Sequence, residues 1–177
     1  RTDVWVATVK KFANLDPDPA FTSSNRKEQT FFGIYHGWSG IPGVMWEPYA
    51  MFLWDTGSGG SITDPAARDQ RRVTLGLRVA GQALAESADY TAEGAYQLGG
   101  IQSRDIRAYA FAVKAGYTLP VALKPRIGIE YDRASGDDNP SDDKFETFEN
   151  LFPTNHIHYG YMDYVGWRNM QDLRFSL

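Results

Sequence analysis

Apolar and polar residues alternate along most of the chain with a period of two, the signature of strands with one face buried and one wetted. The clearest run is Arg72 to Gln82, where Val73, Leu75, Leu77 and Val79 share one face and Arg72, Thr74, Arg78 and Gln82 the other. From Lys124 to Arg133, Ile127, Ile129 and Tyr131 oppose Lys124, Arg126, Glu130 and Asp132. From Asp89 to Leu98, Tyr90, Ala92, Tyr96 and Leu98 oppose Asp89, Thr91, Glu93 and Gln97. From Arg107 to Leu119, Tyr109, Phe111, Val113 and Tyr117 oppose Ala108, Ala110, Ala112 and Lys114. Weaker runs cover Asp3–Lys11, Gln29–Gly37 and Trp46–Asp55, and Gln171–Leu177 reads as an eighth strand cut short. The pattern predicts an all-β, antiparallel protein.

The connections fall into two sets. Short ones are the Gly/Pro turn Ser39–Gly43, the link Ala83–Ser87 and a turn at Pro120. At the other ends of the strands lie longer polar loops, Phe12–Glu28, Asp55–Arg71 and Ser135–Met170, with only Gly99–Arg104 short. Outer-membrane barrels sort their loops in this way, with short periplasmic turns and long outer loops. A soluble sandwich has no reason to do so, although lipocalin-like barrels partly do.

Composition narrows the choice. The 177 residues suffice for one domain, and a net charge of −4 excludes a strongly basic nucleic-acid binder. The absence of cysteine excludes a disulfide scaffold, a Cys-based zinc site and thiol catalysis. The longest stretch free of Asp, Glu, Lys and Arg, Gln29 to Trp46, is broken by Gly33, Gly37, Gly40, Pro42 and Gly43, so it is not a membrane helix. Barrel strands need only about 9–11 residues each and escape such a test. Alternation alone does not say which face is inward. Tyr90, Tyr96, Tyr109, Tyr117 and Tyr131 near strand ends on the apolar faces fit interfacial girdles, and equally fit the core of a soluble barrel.

The candidate solute-binding residues are Arg72, Arg78, Lys114, Lys124 and Arg126, all on polar faces of neighbouring strands. In a pore they would attract an anion, because low-dielectric walls focus the field. The plainer reading pairs them with Glu93, Glu130 and Asp132 across the strands. Asp137, Asp138, Asn139, Asp142 and Asp143 make an oxygen-rich loop without the glycine and terminal Glu of an EF-hand, so a solvated loop is expected rather than a calcium site. His156, His158 and Asp163 lack a defined further ligand, and no metal is expected there. There is no GxSxG, HExxH or phosphate loop, so an enzyme is not expected.

The residues Lys124 to Pro140, Thr147 to His156, His158 to Asp163, and then Trp167, Asn169 and Asp172-Leu173-Arg174 resemble the alginate-export family of outer-membrane proteins. The resemblance implies a barrel of about eighteen antiparallel strands in the outer membrane of a Gram-negative bacterium. It implies passage of an anionic polysaccharide or small anionic solutes, no cofactor, and partners in outer-membrane lipid and the periplasmic export apparatus. Eight strands at roughly 22 residues each fall short of that barrel, which would need about 400 residues. The whole chain is therefore expected to be part of one barrel domain, with a long outer loop over about residues 135–170. The alternatives are a small closed eight-stranded barrel, a general porin or uptake channel, and a soluble β-barrel that binds or acts on a sugar.

Overall fold

The alternating runs become long strands that pair with their sequence neighbours. A computed structural model describes residues 1–11, 27–56, 69–151 and 166–177. Its strands are β1 (Thr2–Lys11), β2 (Lys27–His36), β3 (Trp38–Ile41), β4 (Val44–Asp55) and β5 (Gln70–Ala83). There follow β6 (Ala88–Ile101), β7 (Arg104–Thr118), β8 (Arg126–Ala134), β9 (Lys144–Phe145) and β10 (Met170–Ser176). All belong to one sheet in the order β1-β2-β4-β5-β6-β7-β8-β10, with β3 added to β4 and β9 added to β7. Every pairing is antiparallel except the two-residue contact of β9 with β7. Among the described residues β1 and β10 each pair on one side only, so the sheet is open, as a section of a barrel wall is.

The turns differ from expectation in detail. Instead of a loop at Ser39–Gly43, Trp38 and Ile41 pair with Trp46 and Val44, and the turn shrinks to Pro42-Gly43. Proline fixes its own φ there, and Gly43 takes φ 76°, a value a side chain would oppose. The strands β5 and β6 each run further than their periodicity suggests, to Ala83 and Ile101. Gly99 makes the second extension possible: at φ 136° it lies so close to Arg71 that a Cβ would strike the Arg71 carbonyl. Lys124 is not on β8. It sits in the turn before it at φ 45°, with its N–H donated to the Val121 carbonyl at 2.8 Å, while the Leu119 N–H closes the hairpin on the Pro125 carbonyl at 2.9 Å.

The distribution of polarity is the reverse of a soluble domain. On β5 the polar face is the covered one: Gln70, Arg72 and Thr74 are buried, whereas Leu75 is 49% exposed and Leu77 38% exposed. The same holds across the sheet. Phe32, Ile34, Val113, Ile127, Ile129 and Leu173 stand exposed on the apolar face, and Asp55, Gln97, Glu130 and Asp132 are buried on the other. A soluble barrel would hide the first set and wet the second. Aromatics border the apolar band at both ends. Trp54, Tyr96, Tyr109 and Tyr131 lie towards the long-loop ends of their strands; Trp46, Tyr90 and Tyr117 lie towards the short turns. The short-turn series steps diagonally across the register, as strands tilted by about 35–45° in a barrel require, and the long-loop series runs the same way from Trp54 to Tyr131 with Tyr96 and Tyr109 level.

Leu77→Arg places a guanidinium in the middle of this band. It should destabilise the inserted barrel by about 2–4 kcal/mol, read from reversible denaturant unfolding in lipid vesicles. A charge tolerated at Leu77 without loss would mean that this face meets water.

Candidate functional site on the polar face

The register decides which polar side chains meet. Arg72 stands opposite Leu53 on β4 and Gly99 on β6. Arg72 donates to Gln97 Oε1 at 2.7 Å, to Gln70 Oε1 at 3.2 Å and to Glu149 Oε2 at 2.8 Å, and packs over the Phe145 ring at 5.8 Å. Gln97 completes the knot: its amide N–H groups go to Thr74 Oγ1 at 3.2 Å and to the Glu149 carbonyl at 2.7 Å, while its oxygen accepts the Glu149 backbone N–H at 2.9 Å. A fully buried cation is tolerated only with such a complete set of partners.

Glu149 belongs to the connection between β8 and β10, so the knot is also what holds that loop on the wall. Phe148 seats on a floor of Ala95, Ala108, Ala110 and Ala134, and Phe145 closes against Ile101 and Ile106. Ser135 ties the base of the loop: its hydroxyl accepts the Tyr109 N–H at 2.9 Å and donates to the Glu146 carbonyl at 2.6 Å. Arg104 anchors the acidic stretch through Asp137 at 3.5 Å and through the Pro140 carbonyl. Asp137, Asn139 and Asp142 turn their side-chain oxygens on the backbone N–H groups of Asn139, Ser141 and Lys144, which is loop structure rather than an ion cage. Among the described residues no cluster suited to a metal is present. His156, His158 and Asp163 lie outside the described residues.

Nearer the short turns the same face carries ion pairs. Arg78 pairs with Glu47 on the neighbouring strand. Tyr49 crosses over Gly76 to donate to Glu93 Oε1 at 2.7 Å, with Tyr35 stacked on it at 5.9 Å. Glu130 is shared between Lys114 at 3.4 Å and Arg174 at 3.0 Å. Arg126 crosses over Gly116 to reach Asp89 on β6 with two bonds, 2.8 and 2.6 Å. The recurring device is a glycine in the intervening strand. Without a Cβ it leaves a lane along which a long side chain reaches a carboxylate two strands away.

Of the five residues singled out from sequence, four are therefore on the polar face, each with an acid, and Lys124 is in the turn beyond it. They do not form one continuous positive wall. Arg72 is enclosed beneath the loop. Arg78, Lys114 and Arg126 line the uncovered part, where Lys114 and Arg78 are more exposed than their acids: 50% against 10%, and 36% against 17%. Arg174, which alternation does not single out because its strand looks truncated, completes the group with 36% exposure. Glu149 was equally hidden in the sequence, since nothing local ties it to a strand 52 residues earlier.

A sheet that is polar and ion-paired on one face, and apolar and aromatic-rimmed on the other, defines a section of a membrane β-barrel wall. The chain belongs to the family described as alginate export, whose model matches residues 11–177. This is an outer-membrane family of polysaccharide-export channels, a transport family rather than an enzymatic one. No curated protein and no solved structure matches the chain.

Replacing Arg72 by Met removes the hub while keeping much of its length. Loss of one member of a buried, hydrogen-bonded charge set should cost about 3 kcal/mol and release the loop. Limited proteolysis should then cut within residues 137–150 at protease concentrations that leave the parent intact. Unchanged protection would show that the apolar seat of Phe148 suffices.

Proposed function

We propose that the polar face lines the lumen of an outer-membrane channel for an anionic polysaccharide of the alginate type or for small anionic solutes. The observation that carries this reading is the arrangement of charges on the uncovered wall. Lys114 and Arg174 share the single acid Glu130, which sits low between them, so a passing solute meets two bases before it meets the carboxylate. Arg78 stands above Glu47 in the same way. Cations held out from the wall by acids beneath them offer many weak, reversible contacts. Such contacts let a polyanion enter and leave. No bond is made or broken and no cofactor takes part.

The loop that follows β8 supports a second element of the same reading. Residues 135–151 lie on the polar face rather than projecting beyond the sheet, anchored by Arg72, Gln97 and the alanine floor. In a lumen that position narrows the bore at the long-loop end, which in outer-membrane barrels is the outer mouth. The constriction and the ring of exposed bases would then act in series.

Reversing Lys114 and Arg174 together to Glu in the complete barrel should move the reversal potential towards cations and weaken block by an oligouronate. The effect should shrink in 1 M salt, where the Debye length falls to about 3 Å. Selectivity and block both unchanged would leave these side chains as wall solvation only.

Deleting residues 137–150 should raise single-channel conductance, because the segment occupies the bore. Conductance equal to that of the parent would make it a rim ornament.

A further inference from the structure

The apolar face carries its own pattern of charge, which the channel reading does not use. Arg71 on β5, Arg107 on β7 and Arg133 on β8 all belong to that face, and all three are exposed. Each sits at the long-loop border of the apolar band. Arg71 stands beside Trp54 with its guanidinium 5.5 Å from the ring, and Arg133 lies over Tyr109 at 6.0 Å. Arg107 is two residues beyond Tyr109 on the same face of β7, as Arg133 is two beyond Tyr131 on β8. The three bases follow a diagonal of the same sense: Arg71 is level with Trp54, and Arg107 and Arg133 lie one step outside Tyr109 and Tyr131. Neither Arg71 nor Arg133 has an acidic partner among the described residues. Arg107 has only Asp105 at 3.6 Å, both well exposed, a pair of little strength.

A cleft adjoins two of them. β8 stops at Ala134 while β7 continues to Arg104, and the step leaves a cavity of about 510 Å³. Arg107, Arg133, Tyr109 and Gln171 form its strand wall, and Asp138 and Glu146 stand on the loop wall.

The geometry points to a docking surface for the phosphorylated headgroup of an outer-leaflet lipid. Its acyl chains would lie along the apolar band, with its phosphates among Arg71, Arg107 and Arg133. The chemistry is specific to that boundary. Guanidinium groups bind phosphate by paired hydrogen bonds, a stacked aromatic holds them in place, and a base just outside a hydrocarbon band faces headgroups rather than tails. Among the described residues the short-turn border of the same face, at Trp46, Tyr90 and Tyr117, has no such series, so the two leaflets would be told apart. This inference rests on the long-loop end being the outer one. Binding to the purified barrel does not depend on that orientation, which surface proteolysis of residues 137–150 in intact cells tests separately.

The test uses the complete barrel purified in detergent and titrated with a diphosphorylated, multiply acylated glucosamine disaccharide lipid, with binding read by native mass spectrometry. The parent should retain this lipid, should retain its dephosphorylated form about tenfold less well, and should not lose it to millimolar inorganic phosphate. R71Q/R107Q/R133Q should lower retention of the phosphorylated lipid to the level of the dephosphorylated one, while leaving conductance unchanged. R71K/R107K/R133K, which keeps the charge and loses the paired geometry, should fall between. Equal retention by the parent and the Gln variant would overturn the proposal. So would equal retention of the two lipids by the parent, or displacement by inorganic phosphate, which would make the site one for a free anion.

Discussion

In hydrocarbon no water is present to satisfy a backbone N–H or C=O, so each must be paired within the protein. That constraint shapes everything else in this chain. It calls for long strands with continuous ladders, such as the fourteen-residue β5 and β6. It turns apolar side chains outward, and it sends polar groups to the opposite face. Among the described residues the edges at β1 and β10 leave the requirement unmet along a whole strand, which a closed barrel would satisfy by pairing them.

Charge on the inner face obeys a related rule. A wall backed by hydrocarbon is a poor place for a lone ion, and the bases of the lumen face are therefore matched with acids at short range. The matches are of two kinds. Around Arg72 the partners enclose the cation completely, and it serves as a fastening for Glu149 and the loop. Around Lys114, Arg78 and Arg174 the acid is the covered member and the base remains in contact with the open space. The first kind fastens the loop to the wall; the second is what a solute would touch in the function we propose.

Small residues make both kinds possible. Ala95, Ala108, Ala110 and Ala134 leave the depth that Phe148 fills, a burial contributing about 1.5–3 kcal/mol by area. Gly76 and Gly116 clear lanes for Tyr49 and Arg126. In sequence these residues look like weak strand formers. On the wall they are what lets side chains lie flat against it instead of filling the bore.

Alternation with a period of two is a local property, so the sequence alone determined the eight long strands, their two faces and the sorting of loops to the two ends. The resemblance carried by residues from Lys124 to Arg174 also pointed to the family that the comparison identifies. What alternation could not contain was pairing across distance. Which acid neutralises Arg126 depends on a register that brings β6 and β8 to either side of Gly116. That Arg72 is enclosed rather than open depends on where a loop 77 residues away comes to rest. The position of Lys124 in a turn depended on two residues of strand boundary, since β8 begins only at Arg126, and the parallel contact of β9 depended on the stretch of β7 that β8 leaves unpaired beyond Ala134. Face and period are written in neighbouring residues; partners are chosen by the fold, because only the assembled sheet brings them within reach of one another.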